Sequence, residues 1–400
     1  MSANTSRLWP YSLPVALCLL APFNLLASLG MDIYLPVVPA MPTILGTTPA
    51  MVQLTLTLYM ILLGVGQIVF GPLSDRVGRR HVLIGGAILF ALSSFALAAT
   101  STVTAFLLLR LVQAIGASAA LVAVFATIRD VYADRPESVV IYSLMNAMLA
   151  FVPALGPILG AIIAETLGWR YIFAALGIPA VLLIAIALPA WHETRDREAT
   201  PRRTSFAPML NSMAFWAYTT AFGTAMGSFF VFFSTAPRLL IDRAGFSQLG
   251  FSLAFATVAG VMILTTRFAR RVVERWGIAG SVIRGMALLV LGSCALVVGE
   301  VMVEPSFWTF IPPMWVIAVG IVFTMSVSAN GALGEFNEMA GTAVALHFCV
   351  QSIIVGLVGT AFVVILDGDT AWPLISYSAF MAAVTLLMVH MLHRRRASMT

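Results

Sequence analysis

Apolar residues run along this chain in long blocks separated by short polar intervals, with no sustained two-residue alternation of the kind a half-buried strand shows. A helix needs about 20 mainly apolar residues to cross a bilayer. Twelve blocks meet that length, at 13–39, 50–73, 81–100, 103–128, 138–164, 169–190, 212–236, 247–269, 281–300, 307–330, 341–366 and 372–392. The pattern predicts an all-α membrane protein with twelve transmembrane helices. The longest polar interval, 192–211, is rich in Arg, Thr, Ser and Pro and divides the blocks into two sets of six. It is expected to be a cytoplasmic linker between an N-terminal six-helix bundle over 1–191 and a C-terminal one over 212–400.

A repeat supports that division. Ser74-Asp75-Arg76-Val77-Gly78, after the second block, returns in looser form as Val273-Glu274-Arg275-Trp276-Gly277, 199 residues later. An acidic residue, an Arg and a Gly at matching places in both halves is what a transporter built from two pseudo-symmetric bundles would carry.

Composition and charge fix the setting. Hydrophobic residues make up 60% of the chain and charged residues only 10%, against about 25% charged in soluble domains. All 22 basic residues are Arg, and 18 of them fall on one side of the predicted spans. The positive-inside rule therefore places both termini in the cytoplasm. The net charge of +5 is a matter of topology, and without a basic soluble domain nucleic acid is excluded as a partner. Cys18, Cys294 and Cys349 lie in apolar blocks at no metal-ligand spacing, so neither a disulfide nor a metal is expected. The first apolar run exceeds signal-peptide length without a small-residue cleavage pattern, and reads as a retained membrane helix. No nucleophile and base set suggests an enzyme.

Two charges break the pattern, Asp32 and Arg110, each well inside an apolar block. A charge near the middle of a spanning helix costs about 2.5 to 3.5 kcal/mol on insertion scales and usually marks an ion or proton path. Asp32 and Arg110 lie at similar depths on the first and fourth helices, so they could share one site. In the second half, the repeat offset places Val231 and Trp308 or Thr309 there instead. An aromatic stretch containing Phe229, Phe230 and Phe233 occupies the seventh helix. The expected cavity is ionisable on one wall and apolar on the other.

Three motifs add a family. Gly71-Pro72-Leu73-Ser74-Asp75-Arg76-Val77-Gly78-Arg79-Arg80 resembles the signature between helices 2 and 3 of the major facilitator superfamily. Gly71 and Gly78 suit a tight turn and close helix approach, and Asp75 can latch the two halves, with Asp130 a partner for Arg79. Leu109-Arg110-Leu111-Val112-Gln113-Ala114-Ile115-Gly116 resembles the superfamily's helix-4 motif, in which a buried Arg takes part in proton coupling, and departs from it at Ala114, where Gly is usual. Pro153-Ala154-Leu155-Gly156-Pro157-Ile158-Leu159-Gly160 resembles the motif of the antiporter branch. Gly156 and Gly160 form a small-xxx-small pair, while Pro153 and Pro157 free backbone carbonyls and bend the helix.

The narrowest resemblance spans nearly the whole chain. Leu29 to Pro39, Phe70 to Asp75, Phe125 to Tyr132, Phe229 to Ser234 and Asp369 to Pro373 together look like the chloramphenicol and florfenicol exporters. The resemblance implies a monomer in the bacterial cytoplasmic membrane that expels a neutral aromatic amphenicol in exchange for protons, with the proton gradient as energy source and no cofactor. Asp32 and Arg110 would couple the proton. Phe23, Asn24, Asp32, Tyr59, Arg110, Asn146, Met148, Phe229, Phe230 and Phe233 would contact the drug. The alternatives are a broader multidrug:proton antiporter and a nutrient:proton symporter of the same fold. The latter is disfavoured because Arg110 alone offers a cationic clamp. His347 and Gln351, spaced i, i+4, make His347 a second candidate proton carrier.

One departure bears on coupling. The family generally carries Asp where this chain has Asn24, and an Asn can hydrogen-bond a drug but cannot carry a proton. Either Asp32 alone suffices, or coupling is altered in this chain, or the residue was replaced to trap one state.

Overall fold

The structure is a computed structural model. It describes residues 9, 11–132, 135, 137–195, 205–336 and 339–397, with the side chains of 138, 139, 142, 143, 146–150, 270, 272, 340, 396 and 397 left out. Among the described residues every regular element is helical. The chain divides into two compact units, Met1–Arg203 and Thr204–Thr400.

The long helices of the first unit are α1 (Leu13–Asp32), α2 (Pro49–Val77), α3 (Arg79–Ala99), α4 (Val103–Tyr132), α5 (Glu137–Thr166) and α6 (Arg170–Ala190). Those of the second begin with α7 (Met213–Pro237), followed by a run over Gln248–Met302 that Gly277 interrupts with non-helical backbone. Its two apolar parts are α8 (Gln248–Ala269) and α9 (Val273–Met302). Then come α10 (Phe307–Leu333), α11 (Ala340–Ile353) and α12 (Trp372–Ala397). Eleven helices among the described residues are long and apolar enough to cross a membrane. Leu92, Leu182, Leu264 and Leu291 are each more than half exposed on helix faces. Helices apolar on their outer faces as well as their inner ones suit hydrocarbon, where all backbone polar groups must bond within the helix.

Local chemistry sets the helix ends. Thr48 Oγ1 accepts from the Met51 N–H, with Pro49 at the start of α2. Ser212 accepts from the Phe215 N–H at α7, Ser247 from Gly250 at α8, and Ser306 forms a capping box with Thr309 at α10. Helix α1 stops at Asp32 because Pro36, which would bond back to the Asp32 carbonyl, has no N–H. The chain tightens there into a 3-10 turn over Leu35–Ala40.

The repeat seen in sequence recurs in geometry. Gly78 and Gly277, 199 residues apart, both take positive φ, 115° and 66°, a region that favours glycine. Gly86 of α3 crosses Gly116 of α4 so closely that a Cβ on Gly86 would lie 2.8 Å from the Gly116 carbonyl oxygen. At the same offset, a Cβ on Gly285 of α9 would lie 2.8 Å from the carbonyl oxygen of Gly320 in α10. The close approach of α4 thus uses Gly116, whereas Ala114 is simply buried in the packed interior.

Both ends of the expected linker 192–211 pack on their own units. Trp191 lies edge-on to Trp9 and Phe23 in the first, and Trp216 Nε1 donates to the Leu210 carbonyl in the second. Residues 196–204 lie outside the described residues. At the far end of the second unit, Arg238 pairs with Asp369 at 2.5 Å and Arg243 with Glu300 at 3.4 Å.

Candidate functional site

Asp32 ends α1, where its residue is only 9% exposed. What it rests against is α5. A Cβ on Gly156 would come 2.8 Å from the Asp32 Cβ, and one on Gly160 would overlap the Ile33 carbonyl oxygen. The two glycines therefore admit the end of α1 into the face of α5 next to the carboxylate, within a helix that carries Pro153 and Pro157 internally. The antiporter-type motif and the acidic residue are one packing unit.

Arg110 is 1% exposed, so its guanidinium is enclosed by protein. Its Nη1 donates to the Gly30 carbonyl and to Gln113 Oε1, both at 2.7 Å. The guanidinium carbon lies 4.6 Å from the centroid of the Tyr59 ring, 5.1 Å from that of Tyr34 and 6.0 Å from that of Phe173. Such faces stabilise a desolvated cation by about 2 kcal/mol or more, and the carbonyls at the C-terminal end of α1 favour positive charge. Gln113 passes the network on, since its Nε2 donates to Ser94 Oγ at 2.8 Å. Among the described residues Arg110 and Asp32 form no ion pair within 4.0 Å. The structure brings both to the last turn of α1, but Arg110 binds the backbone there.

Tyr59 donates its hydroxyl to the Ala27 carbonyl at 2.9 Å. With Arg110 on Gly30, two side chains from α2 and α4 hold the final turns of α1. Asn24 lies two turns earlier, is fully buried, and has neither Oδ1 nor Nδ2 paired. Phe23 points into the packing around Trp191, at a ring separation of 5.8 Å. The side chains of Asn146 and Met148 lie outside the described residues.

The seventh-helix aromatics belong to the second unit's interior. Phe232 stacks on Phe255 at 5.0 Å and on Phe310 at 5.6 Å. Phe233 meets Phe255 edge-on, Phe229 leans on both Phe232 and Phe255, and Phe230 packs where Gly359 leaves room. Of the three candidate drug contacts here, only Phe229 is part-exposed; Phe230 and Phe233 are 1% and 2% exposed.

The Gly71–Arg80 segment is organised around Arg79. Its Nε donates to Asp130 Oδ2 at 2.8 Å, Nη1 to Ser74 Oγ at 2.6 Å, and Nη2 pairs with Asp75 at 2.5 Å. Arg129 also approaches Asp75, at 3.9 Å. Gly78 makes the turn. Gly71 makes neither turn nor close approach, which corrects the expectation for it: α2 continues through Pro72 to Val77, and the space beside Gly71 is open.

One residue of this cluster was invisible as such in the sequence. Glu193 Oε1 accepts the Arg79 N–H at 2.8 Å and Oε2 the Arg80 N–H at 3.2 Å, so a carboxylate from beyond α6 caps the start of α3. Arg195 Nη1 donates to the Arg76 carbonyl at 2.5 Å, and Arg80 Nη2 to the Leu188 carbonyl at 2.6 Å. The only available signal was an acid at the edge of a polar interval, which its position 114 residues from Arg79 does not connect to any motif. Cys18, Cys294 and Cys349 are free thiols, and no metal-holding group of three His, Cys, Asp or Glu side chains occurs among the described residues.

Apolar helices with a charge network at one loop, and two charged side chains buried at the end of one helix, define a polytopic membrane transporter. Residues 20–360 match the family model described as Major Facilitator Superfamily, and the chain belongs to that superfamily. It is 48% identical over 379 residues to a chloramphenicol resistance protein of Pseudomonas aeruginosa, covering 94% of this chain and 90% of that protein. It is 28% identical over 326 residues to the multidrug resistance protein MdtL of Escherichia coli O9:H4 (strain HS), covering 80% of this chain and 81% of that one. A solved structure of the peptide transporter POT in complex with sulfate is similar at a TM-score of 0.80 with 12% identity, over 99% of each chain, which shows the fold. The chain is a transporter and not an enzyme, and a multi-pass protein of the bacterial inner membrane.

Proposed function

We propose that this protein exports amphenicol antibiotics such as chloramphenicol and florfenicol from the cytoplasm in exchange for protons, by alternating access. The observation that carries the exchange is the seating of Asp32: a buried carboxyl group on the last turn of α1, packed on Gly156 and Gly160 of α5. The substrate class rests on the similarity to the Pseudomonas aeruginosa chloramphenicol resistance protein. In this reading twelve helices cross the bilayer, α5 included as a 30-residue helix, both termini are cytoplasmic, and the protein works as a monomer with the proton gradient in place of any cofactor.

Asp32 takes a proton from the outer side and yields it to the cytoplasm. Arg110 holds a fixed positive charge two residues from it, at the Gly30 carbonyl, and so biases the exchange. In the first unit Asn24 and Tyr59 contact the drug. Asp75, Arg76, Gly78, Arg79, Arg80 and Asp130 act as the conformational latch. A second reading, export of a wider range of drugs, is favoured by the similarity to MdtL.

The test uses inverted vesicles loaded with a pH dye. Adding chloramphenicol should drive proton movement with the original chain and none with Asp32→Asn. Drug-driven proton movement that survives in the variant removes Asp32 from the exchange. Absence of chloramphenicol uptake by the original chain removes the substrate class.

A further inference from the structure

Helix α11 carries buried polar groups that this exchange leaves unused. His347 is fully buried, and its Nδ1 shares a 2.9 Å hydrogen bond with Thr219 Oγ1 of α7. Its Nε2 is buried with no partner among the described residues. One turn on, Gln351 donates from Nε2 to Ser352 Oγ at 2.8 Å, and its Oε1 is likewise buried without a partner. At i, i+4 the two residues share one face of the helix. Leaving a buried donor or acceptor unmade is costly, and here two such atoms lie one turn apart on one face.

The surroundings fit a ligand. Phe222 and Phe348 meet the imidazole edge-on, at 5.1 and 5.4 Å, giving an aromatic frame to a ring whose orientation Thr219 fixes. Soon after comes a π-helical turn, Ile354–Val358, a rare distortion that is frequent at functional sites. Gly223 of α7 receives the Ile354 side chain, where a Cβ would lie 3.1 Å from it. Helix α7 thus meets α11 both at His347, through Thr219, and at Ile354.

We infer that His347 Nε2 and Gln351 Oε1 form a hydrogen-bonding subsite in the second unit for a hydroxyl group of the exported drug. A hydroxyl both donates and accepts, so it satisfies Gln351 Oε1 together with His347 in either tautomer. The proposal rests on the export reading above, since alternating access supplies the opening that a sealed site requires. It gives the second unit a drug contact of its own, in addition to those proposed in the first.

The experiment measures chloramphenicol binding to the purified full-length protein for the original chain, His347→Phe, His347→Gln and Gln351→Leu, with thermal unfolding as the control. Chloramphenicol acetylated on both hydroxyls serves as the comparison ligand. His347→Phe and Gln351→Leu should each weaken chloramphenicol binding by roughly five- to tenfold, the size of one hydrogen bond. Binding of the diacetate should be weak and unaltered by either change. Should His347→Phe fail to fold, His347→Gln and Gln351→Leu decide. Unchanged chloramphenicol affinity in folded variants overturns the subsite while leaving export intact, and so does an equal loss for both ligands. If the original chain binds no chloramphenicol, the export reading falls and the subsite with it.

Discussion

The two units share a skeleton and differ in what they bury. Gly78 and Gly277 take positive φ at the same place in each, and the Gly86·Gly116 crossing of the first returns as Gly285·Gly320 in the second. Inside the first unit lie Asp32 and Arg110, the latter held by Gly30, Gln113 and two tyrosine rings. Inside the second, the buried pairs among the described residues join hydroxyls and one imidazole: Thr224 with Thr385, Ser228 with Ser378, His347 with Thr219. Backbone geometry has been kept in duplicate, while a buried Asp and Arg at the end of one helix have no counterpart at the repeat offset. Since a charge in a membrane interior is costly, burying such a pair once costs less than burying it twice.

The largest expected effect that would sharpen this contrast is on Arg110. Replacing it with Met strips Gly30 of its donor and leaves Gln113 Oε1 without one, so drug-driven proton movement in vesicles should fall at least tenfold. The loss of charge-assisted hydrogen bonds of about 1.5 to 3 kcal/mol each sets that scale. Arg110→Lys should restore part of it, because a lysine keeps the charge but not the planar fork. If Arg110→Met exports as well as the original, the buried cation is structural baggage and the contrast between units loses its functional meaning.

Next in size are the crossings. Gly86→Val and Gly285→Val should each destabilise the protein by about 1 to 3 kcal/mol through overpacking, and by similar amounts. Thermal unfolding of the two variants side by side checks this. A large loss for one with none for the other would break the claim of a duplicated skeleton.

The smallest effect concerns the loop. Glu193→Gln keeps one acceptor oxygen for the Arg79 or the Arg80 N–H, sets an NH2 against the other and removes the charge at the start of α3, and should cost about 1 kcal/mol. Unfolding temperature is again the measure. A change as large as that of the glycine variants would mean that Glu193 holds more than a cap.

How far the sequence reaches can be judged from these same residues. Helix positions follow from apolar blocks because the bilayer forces backbone bonding within each helix, and among the described residues eleven of the expected blocks coincide with helices long and apolar enough to cross. Asp32, Arg110 and the Gly71–Arg80 segment stand out because charge is scarce in such a chain. Partners are a different matter, since they depend on how each helix is rotated. Arg110 faces Gly30 and two tyrosines where Asp32 was the natural guess. Gly156 and Gly160 could be recognised as small, yet not as the seat of Asp32. Gly71 carried the motif's look without its geometry. Glu193 lay in what reads as a linker, and nothing in its neighbours announced that it bonds to a helix start more than a hundred residues earlier.

The strap formed by Glu193 and Arg195 also sets where the first unit can be cut. A chain ended at Ala190, the last residue of α6, would look complete by hydropathy. It would nonetheless leave the Arg79 and Arg80 N–H groups without their carboxylate, and remove the Arg195 donor from the Arg76 carbonyl. A separately expressed first half should therefore extend through Arg195, and a split transporter reassembled from two fragments is best divided after that residue.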